Sequence, residues 1–254
     1  MTATAITILE WTYEPKFFFE EPFELTFSGG EIAISAGIAR GEFDSLHYDE
    51  GKVFQNSTQE FLRSAFLAQQ VQVHQPFTIS QTAMAREHSD GRRDASIFVD
   101  SAVMTVSVGT VDLVHRDGDG NVLADTKAER LQRHANFRRD ITNLVPQDIA
   151  LKRMLQSFSN ALSDRDNLLI HLYEIRETLS SKFSDERVAC ATVRVSSGDW
   201  SKFGRLANKE PLLEGRHRGK HLGLRKATTD EANWALNFGQ SLIEGYVQSR
   251  ELGK

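Results

Sequence analysis

The sequence predicts an α+β protein, with an N-terminal antiparallel β-sandwich or open barrel followed by a C-terminal α-helical bundle. In the first half, apolar residues alternate with polar ones or cluster as Val, Ile and Thr, which is typical of strands. In the second half they recur every three or four residues, which is typical of amphipathic helices. We place the β-rich domain at residues 1–140 and the helical domain at residues 146–254.

The clearest strand signal is a predicted hairpin near the N-terminus. Phe23–Phe27 and Glu31–Ser35 alternate apolar and polar side chains on either side of Ser28-Gly29-Gly30. Glycine accepts a positive φ, so this segment favours a tight turn between two strands. Further turns are predicted at Ser89–Arg92 and Asp117–Asn121, and strand-like composition extends between them.

One helix is predicted in the first half of the chain. Phe61, Ala65 and Ala68 recur at helical spacing, so we predict a helix over Ser57–Gln70. The next segment, Val71–Met84, is predicted to be extended, with Pro76 marking a break or a sheet edge.

The second half predicts successive helices with short connections, as in a compact bundle. Ala128–Arg139 indicates a charged connecting helix, Pro146 suits a first helical turn, and Thr228–Glu231 gives a capping signal for the last helix. The apolar stripes behind this prediction are Leu151, Leu155, Phe158 and Leu162; Leu168, Leu172, Ile175 and Leu179; and Ala235, Phe238, Leu242 and Tyr246.

Several classes of protein are excluded by what the sequence lacks. Cys190 is the only cysteine, which excludes an intramolecular disulfide and a multi-cysteine zinc site. No stretch approaches the roughly 20 apolar residues of a membrane helix, and Met1–Trp11 does not resemble a signal peptide. We therefore expect a cytoplasmic protein with no membrane association.

The sequence also lacks the commoner catalytic and cofactor motifs. It contains no HExxH, GxSxG, Walker or GxGxxG pattern, which argues against the zinc peptidases, serine hydrolases and nucleotide enzymes that carry them. The Asp117–Asn121 segment resembles the start of a calcium loop, but Val122 and Ala128 stand where an EF-hand needs Gly and an acidic ligand. We predict no metal site and no cofactor.

Charge is distributed unevenly between the two halves. Residues 1–150 hold 13 Lys and Arg against 22 Asp and Glu, and residues 151–254 hold 17 against 13. The basic excess is concentrated in Lys202–Lys226, with eight basic residues against Glu210 and Glu214. Arginine guanidinium groups suit phosphate binding, because each can donate two parallel hydrogen bonds to the phosphate oxygens. The predicted phosphate-binding residues are Arg216, His217, Arg218, Lys220 and Arg225.

Two simpler interpretations of this basic segment stay open. It is equally consistent with a solvated loop, because clustered charges usually face water. It is also consistent with a surface that docks on the acidic first half of the chain.

The segment carries a family resemblance. Arg216 and His221, separated by four residues, resemble the Arg-x4-6-His motif of HEPN-domain proteins, and the polar His217 fits the family's preference. The predicted helices over residues 148–252 are similar to the family's helical bundle. Gly219 departs from the family's helical setting, because glycine weakens a helix by about 1 kcal/mol.

The resemblance implies a metal-independent ribonuclease. His221 would transfer a proton at the ribose 2′-hydroxyl or the leaving oxygen, and Arg216 would stabilise charge on the phosphate. Family members often pair two motifs across a symmetric dimer, so a homodimer is implied. Two further pairs match the Arg-x4-6-His motif. Arg40/His47 is set aside because it lies in the β half, and the other pair is Arg165/His171. We keep Arg165, His171 and Glu174 as the second choice, since positions i and i+3 share a helix face.

Two other functions remain consistent with the sequence. One is a non-catalytic binding module, in which the β half recognises a partner and the helical half dimerises or binds a phosphate-bearing ligand such as RNA. The other is a structural component of a larger assembly. Salt-dependent nucleic-acid binding without turnover would distinguish the first from a nuclease, and the second predicts neither binding nor cleavage.

Overall fold

The structure is a computed structural model that describes residues 5–27, 29–49, 51–98, 112–116 and 122–252. The chain divides into two compact units. The β unit comprises Met1–Gln69 and Phe77–Asp125, and the helical unit comprises Gln70–Pro76 and Thr126–Lys254. A six-stranded antiparallel sheet in the N-terminal half is followed by helices in the C-terminal half, which confirms the predicted α+β class. The strands within the described ranges form no closed barrel.

A six-stranded antiparallel sheet is the centre of the β unit, with the order β2-β3-β4-β1-β5-β6. Its strands are β1 (Ile6–Glu14), β2 (Phe23–Phe27), β3 (Gly30–Ser35), β4 (Ile38–Asp44), β5 (Thr78–Glu87) and β6 (Arg93–Ile97). The hairpin predicted from alternation is confirmed, because Leu25 pairs with Ile32 and both are buried. Gly29 has the positive φ of 110° that this turn requires. Ser28 lies outside the described residues.

The second hairpin is only partly described. β7 (Val114–Arg116) and β8 (Val122–Asp125) pair antiparallel as a separate two-stranded sheet. The turn predicted between them, at residues 117–121, lies outside the described part of the chain. So do residues 99–111, which include most of the predicted strand-like composition.

Two helices accompany the sheet, α1 (Ser45–Asp49) and α2 (Lys52–Val73). The predicted helix over Ser57–Gln70 is present but longer at both ends. The prediction that Val71 begins an extended segment was wrong. Val71 follows Ala68 by three positions and is likewise buried, so the apolar stripe continues the helix. The helix ends just before His74, which has a φ of 51°, and β5 starts only at Thr78.

Aromatic rings fill the core of the β unit. Phe66 of α2 contacts the rings of Tyr13, Phe18 and Phe19 with centroid separations of 5.0, 5.7 and 4.8 Å. Such aromatic pairs contribute beyond their buried area. They attach α2 to the central strand β1 and to the segment that follows it.

The helical unit is built from α3 (Thr126–Leu144), α4 (Ile149–Ser163), α5 (Leu168–Phe183), α6 (Glu186–Val193), α7 (Ser197–Asn208) and α8 (Thr229–Leu252). Every residue of the three predicted apolar stripes is buried, so the predicted faces are confirmed. α3 includes the predicted connecting helix, and Pro146 lies in a short 3₁₀ turn, Val145–Gln147, ahead of α4. None of the described helices is both long and apolar enough to span a bilayer.

Asp148 is a buried carboxylate that links three helices of this unit. It caps α4, because its Oδ1 accepts hydrogen bonds from the backbone N–H groups of Ala150 and Leu151, each at 3.1 Å. Its Oδ2 accepts a 2.6 Å hydrogen bond from the Tyr246 hydroxyl on α8. Lys182 on α5 and Arg250 on α8 lie 3.8 and 3.4 Å away. These partners compensate the cost of burying the charge.

The protonation of Asp148 is set by two opposing effects. Burial alone would raise the pKa of its carboxyl group, but hydrogen bonds from Tyr246 and Leu151 and the nearby cations lower the pKa below its ordinary value. A lowered folded-state pKa stabilises the protein above the unfolded-state pKa of about 3.9. That stabilisation is lost as the pH falls through the folded-state pKa.

We expect Tyr246→Phe to lower the free energy of unfolding by about 1.5–3 kcal/mol at pH 7, the range for a hydrogen bond to a charged group. The variant should also lose less stability than the wild type on acidification, because the pKa of Asp148 is then lowered less. Urea unfolding followed by far-UV circular dichroism at pH 7 and near pH 3 measures both effects. If Tyr246→Phe is as stable as the wild type at both pH values, the contact is unimportant.

Helices α6 and α8 approach each other closely at Gly245. A Cβ atom on Gly245 of α8 would lie 2.1 Å from the backbone oxygen of Val193, at the end of α6. We expect Gly245→Ala to destabilise the helical unit by about 2–3 kcal/mol, since backbone must move to relieve the overlap. Gly223→Ala is the matched control, because nothing lies within 4 Å of its added Cβ. Thermal unfolding of the two variants should differ clearly.

Candidate functional site

The predicted site residues lie in the connection between α7 and α8, residues 209–228, which we call the docked loop. Backbone hydrogen bonds order this loop: Arg216 N–H donates to the Ala207 oxygen at 2.8 Å, and Arg225 N–H donates to the Pro211 oxygen at 2.9 Å. Gly215 is buried, and a Cβ there would approach the Ala207 oxygen to 3.3 Å. The motif region itself is a 3₁₀ turn, Arg218–Lys220, rather than an α-helix, consistent with Gly219.

Arg216 attaches the docked loop to the exposed side of α5. Its Nη1 donates to Glu177 Oε1 at 2.9 Å. Its guanidinium carbon lies 4.4 Å from the ring centroid of Tyr173, a cation–π contact. The side chain is therefore held between a carboxylate and an aromatic ring, one helical turn apart on α5.

Arg218 attaches the loop to the start of the same helix. Its Nη2 donates to the backbone oxygen of Asp166 and to Asn167 Oδ1, both at 2.6 Å. Its Nε donates to the Gly215 oxygen at 3.1 Å. Arg216 and Arg218 thus hold the docked loop along α5.

Arg225 points to a different partner. Its Nη1 and Nη2 each donate to a carboxylate oxygen of Glu231 on α8 at 2.7 Å. This pairing is the main cause that lowers the pKa of Glu231 to about 2. Thr228 and Glu231 also form the predicted capping signal, because Glu231 N–H donates to Thr228 Oγ1 and Thr228 N–H donates to Glu231 Oε2. The structure does not bring Arg225 to the α5 contacts of the other two arginines.

The remaining predicted residues have unengaged side chains. Within the described ranges of the chain, the side chains of His217, Lys220 and His221 form no hydrogen bond or ion pair. His217 and Lys220 are exposed, and His221 is half-buried. The docked loop therefore presents two free imidazoles and one free ammonium beside two arginines that are held in place.

The second-choice residues form a different arrangement. His171 Nε2 lies 3.2 Å from Asp164 Oδ2, and its Nδ1 lies 3.9 Å from Glu174 Oε2. The predicted His171 and Glu174 neighbourhood is thus present. Glu174 also accepts a 2.8 Å hydrogen bond from the Ser157 hydroxyl. Arg165 forms no hydrogen bond or ion pair with any residue that the structure describes.

This geometry favours a structural role for His171. Its Nε2 contacts the Asp164 carboxylate, its Nδ1 is buried without a hydrogen-bond partner among the described residues, and the side chain is only 19% exposed, so the ring is largely shielded from a substrate. Hydrogen bonds from Asn167 and then His171 lower the pKa of Asp164. No group of three or more His, Cys, Asp and Glu side chains among the described residues is placed to hold a metal ion.

A continuous chain of contacts joins the two candidate sites. Arg218 donates to Asn167 Oδ1, Asn167 Nδ2 donates to Asp164 Oδ2 at 2.7 Å, and the same oxygen contacts His171. His171 and Asp164 therefore support the turn on which the docked loop rests. In the third match, Arg40/His47, Arg40 lies in β4 of the β unit and pairs with Glu42 at 3.3 Å.

The residues that contact the arginines of the docked loop were not predicted from the sequence. They are Asn167, Tyr173 and Glu177. A signal for the last two was present, because Tyr173 and Glu177 are four positions apart and lie off the predicted apolar stripe of α5. That spacing predicts a shared helix face. It does not indicate which distant arginine contacts that face.

We expect Arg218→Ala to release the docked loop from α5. Loss of its bonds to Asp166 and Asn167 should speed amide hydrogen exchange over residues 215–222 by about tenfold or more, since a bond of about 1.5–3 kcal/mol is removed. Arg153→Ala, on the exposed side of α4, is the matched control and should leave this exchange unchanged. Exchange at the wild-type rate in Arg218→Ala would contradict the anchoring role.

Comparison with known proteins leaves the site to be interpreted from its own contacts. No protein-family model, no curated protein and no solved structure matches the chain. The contacts of Arg216 and Arg218 and the free imidazole of His221 are therefore the observations from which a function is argued.

Proposed function

We propose that the helical unit binds phosphate-bearing ligands, RNA among them, and cleaves RNA without a metal ion through Arg216 and His221. The observation that supports this most is the contrast within the docked loop. Arg216 is held against α5 while the imidazole of His221, five residues later, is left without a partner in the described chain. A proton-transfer group must have a free nitrogen that a substrate can reach, whereas the unpartnered Nδ1 of His171 is buried and its Nε2 contacts Asp164.

The contacts of Arg216 allow a phosphate group to replace its present carboxylate partner, Glu177. Its ion pair with Glu177 is solvent-accessible, with side-chain exposures of 30% and 52%, and exposed pairs contribute only about 0–1 kcal/mol. A phosphate group can therefore replace the carboxylate at little cost. The Tyr173 ring would keep the guanidinium plane oriented during the exchange.

The chemistry follows from these two groups. His221 removes the proton of the ribose 2′-hydroxyl, and the 2′-oxygen attacks the adjacent phosphorus. The bond from phosphorus to the 5′-oxygen breaks, and that oxygen takes up a proton from the imidazolium or from water. The products are a 2′,3′-cyclic phosphate and a 5′-hydroxyl end. Arg216 stabilises the charge that builds on the phosphate oxygens.

A homodimer is part of this proposal. The resemblance to HEPN-domain proteins implies two motifs that act together across a symmetric interface. Cleavage would then depend on protein concentration below the dimer's dissociation constant.

The test is cleavage of single-stranded RNA by the full-length protein in the presence of a chelator. We expect wild type to cleave, and His221→Ala and Arg216→Ala to lose about 100-fold or more in rate. His115→Ala, an exposed histidine of β7, is the matched control and should cleave like wild type. The nuclease proposal fails if wild type and His221→Ala show the same background.

A second candidate is a non-catalytic binding module. The observation that favours it is that all three arginines of the loop already have partners: Arg216 and Arg225 contact carboxylates, and Arg218 contacts neutral oxygens and keeps its charge available to a phosphate. In this case the protein would bind RNA with an affinity that falls steeply with salt, and would release it intact. The β unit would then recognise a second partner.

A further inference from the structure

A cleft outside the docked loop's α5 contacts has the composition of a ligand site. It has a volume of about 560 Å³ and lies between the end of α7 and the first turns of α8. Its polar and aromatic lining consists of Lys202, Arg205, Glu210, Asp230, Glu231 and Trp234. Small-molecule sites occupy about 300–1,000 Å³ and combine an apolar wall with a few polar groups.

The apolar wall is an aromatic platform. Trp234 stacks nearly parallel on Phe238, with centroids 5.4 Å apart and an interplanar angle of 7°. Leu206 of α7 adds a buried aliphatic surface to the same cleft. The ammonium of Lys202 lies 3.9 Å from the Trp234 ring centroid. The indole is therefore fixed in orientation and is covered by a cation rather than by another apolar residue.

The cations of the cleft are available to an anion. Lys202 and Arg205 are three positions apart on α7, so they share a face, and both are exposed. Neither forms an ion pair within the part of the chain that the structure describes. Lys202 contacts only the indole ring, so an anionic group can recruit both side chains without breaking a salt bridge.

The carboxylates of the cleft are not equivalent. Glu231 is saturated, because Arg225 donates to both of its oxygens and Thr228 N–H donates to one of them. Glu210 and Asp230 form no side-chain hydrogen bond or ion pair among the described residues. They therefore remain free to accept hydrogen bonds from a ligand.

We propose that this cleft binds a nucleotide whose base carries an exocyclic amino group, as in AMP, CMP or GMP. The base stacks on Trp234 and displaces the Lys202 ammonium, as bases stack on aromatic side chains in nucleic-acid-binding proteins. The phosphate binds Lys202 and Arg205. Asp230 or Glu210 accepts a hydrogen bond from the amino group, the pairing that acidic side chains make with cytosine N4. This ligand engages both cations of the cleft and one of its two free carboxylates.

This inference goes beyond the proposed function, because it requires neither cleavage nor His221. The two therefore fail independently. His221→Ala should leave nucleotide affinity unchanged even if it abolishes RNA cleavage. A loss of nucleotide binding in His221→Ala would place the nucleotide at the docked loop instead and would overturn the assignment to this cleft.

The test is isothermal titration calorimetry of the full-length protein with AMP, CMP, GMP, UMP and adenosine. We expect AMP, CMP and GMP to bind, CMP to bind more tightly than UMP, which has an oxygen in place of the cytosine amino group, and AMP to bind more tightly than adenosine, which lacks the phosphate. Trp234→Ala should weaken AMP binding by about tenfold or more. Trp234→Phe should retain most of it, which separates stacking from loss of fold.

Charge variants complete the experiment. Lys202→Ala combined with Arg205→Ala should remove the preference for AMP over adenosine. Asp230→Ala combined with Glu210→Ala should remove the preference for CMP over UMP. Lys209→Ala is the matched control, because Lys209 follows α7 but does not line the cleft. The proposal is overturned if no nucleotide binds wild type, or if Trp234→Ala and the charge variants bind AMP as wild type does.

Discussion

The helical unit depends on one buried charge, the carboxylate of Asp148. This side chain begins α4 by capping its first backbone N–H groups, and it joins α4 to α8 through the Tyr246 hydroxyl. Lys182 adds α5 to the same point. Because a buried carboxylate without partners would be costly, each of these helices is held in the register that supplies a partner. The apolar stripes provide most of the burial, and Asp148 restricts how they can slide past each other.

The register of α5 in turn determines what the docked loop contacts. The apolar stripe of α5 is buried in the core, and this leaves Asn167, Tyr173 and Glu177 available on other sides of the helix. Arg216 and Arg218 bind there and bring the loop with them. The Asp164 and His171 pair supports Asn167 from behind. The docked loop carries several positive charges. It is ordered by partners on and next to α5, whose positions are determined by the packing of α5 in the helical unit.

The features that were predictable from sequence are those determined by local pattern. The stripes of α4, α5 and α8 repeat within one helix, and capping residues stand next to the helix they begin. The same is true of the Phe23–Ser35 hairpin, where both strands and the turn are adjacent in the chain. The central strand β1 was not predicted, although its buried residues Leu9, Trp11 and Tyr13 alternate with polar residues along the chain.

The arrangement of the site was less predictable, because it depends on contacts between distant residues. Arg216 and Glu177 are 39 positions apart, and Arg218 and Asn167 are 51 positions apart. Tyr246 and Asp148 are separated by 98 positions. The aromatic cleft was missed for the same reason, since Trp234 becomes a ligand surface only when α7 lies beside it. Sequence located the basic residues but did not indicate which of them had partners.

In the proposed RNA complex, the ion pair between Arg216 and Glu177 would affect the association rate and the lifetime of the complex differently. At distances beyond a few ångströms the two charges of this pair largely cancel, so the pair would contribute little to the attraction of a polyanion. On arrival, the polyanion would have to compete with Glu177 for the same guanidinium. The association rate would therefore depend on the remaining charges and on ionic strength, whereas the lifetime of the complex would be limited by how readily the Glu177 carboxylate returns.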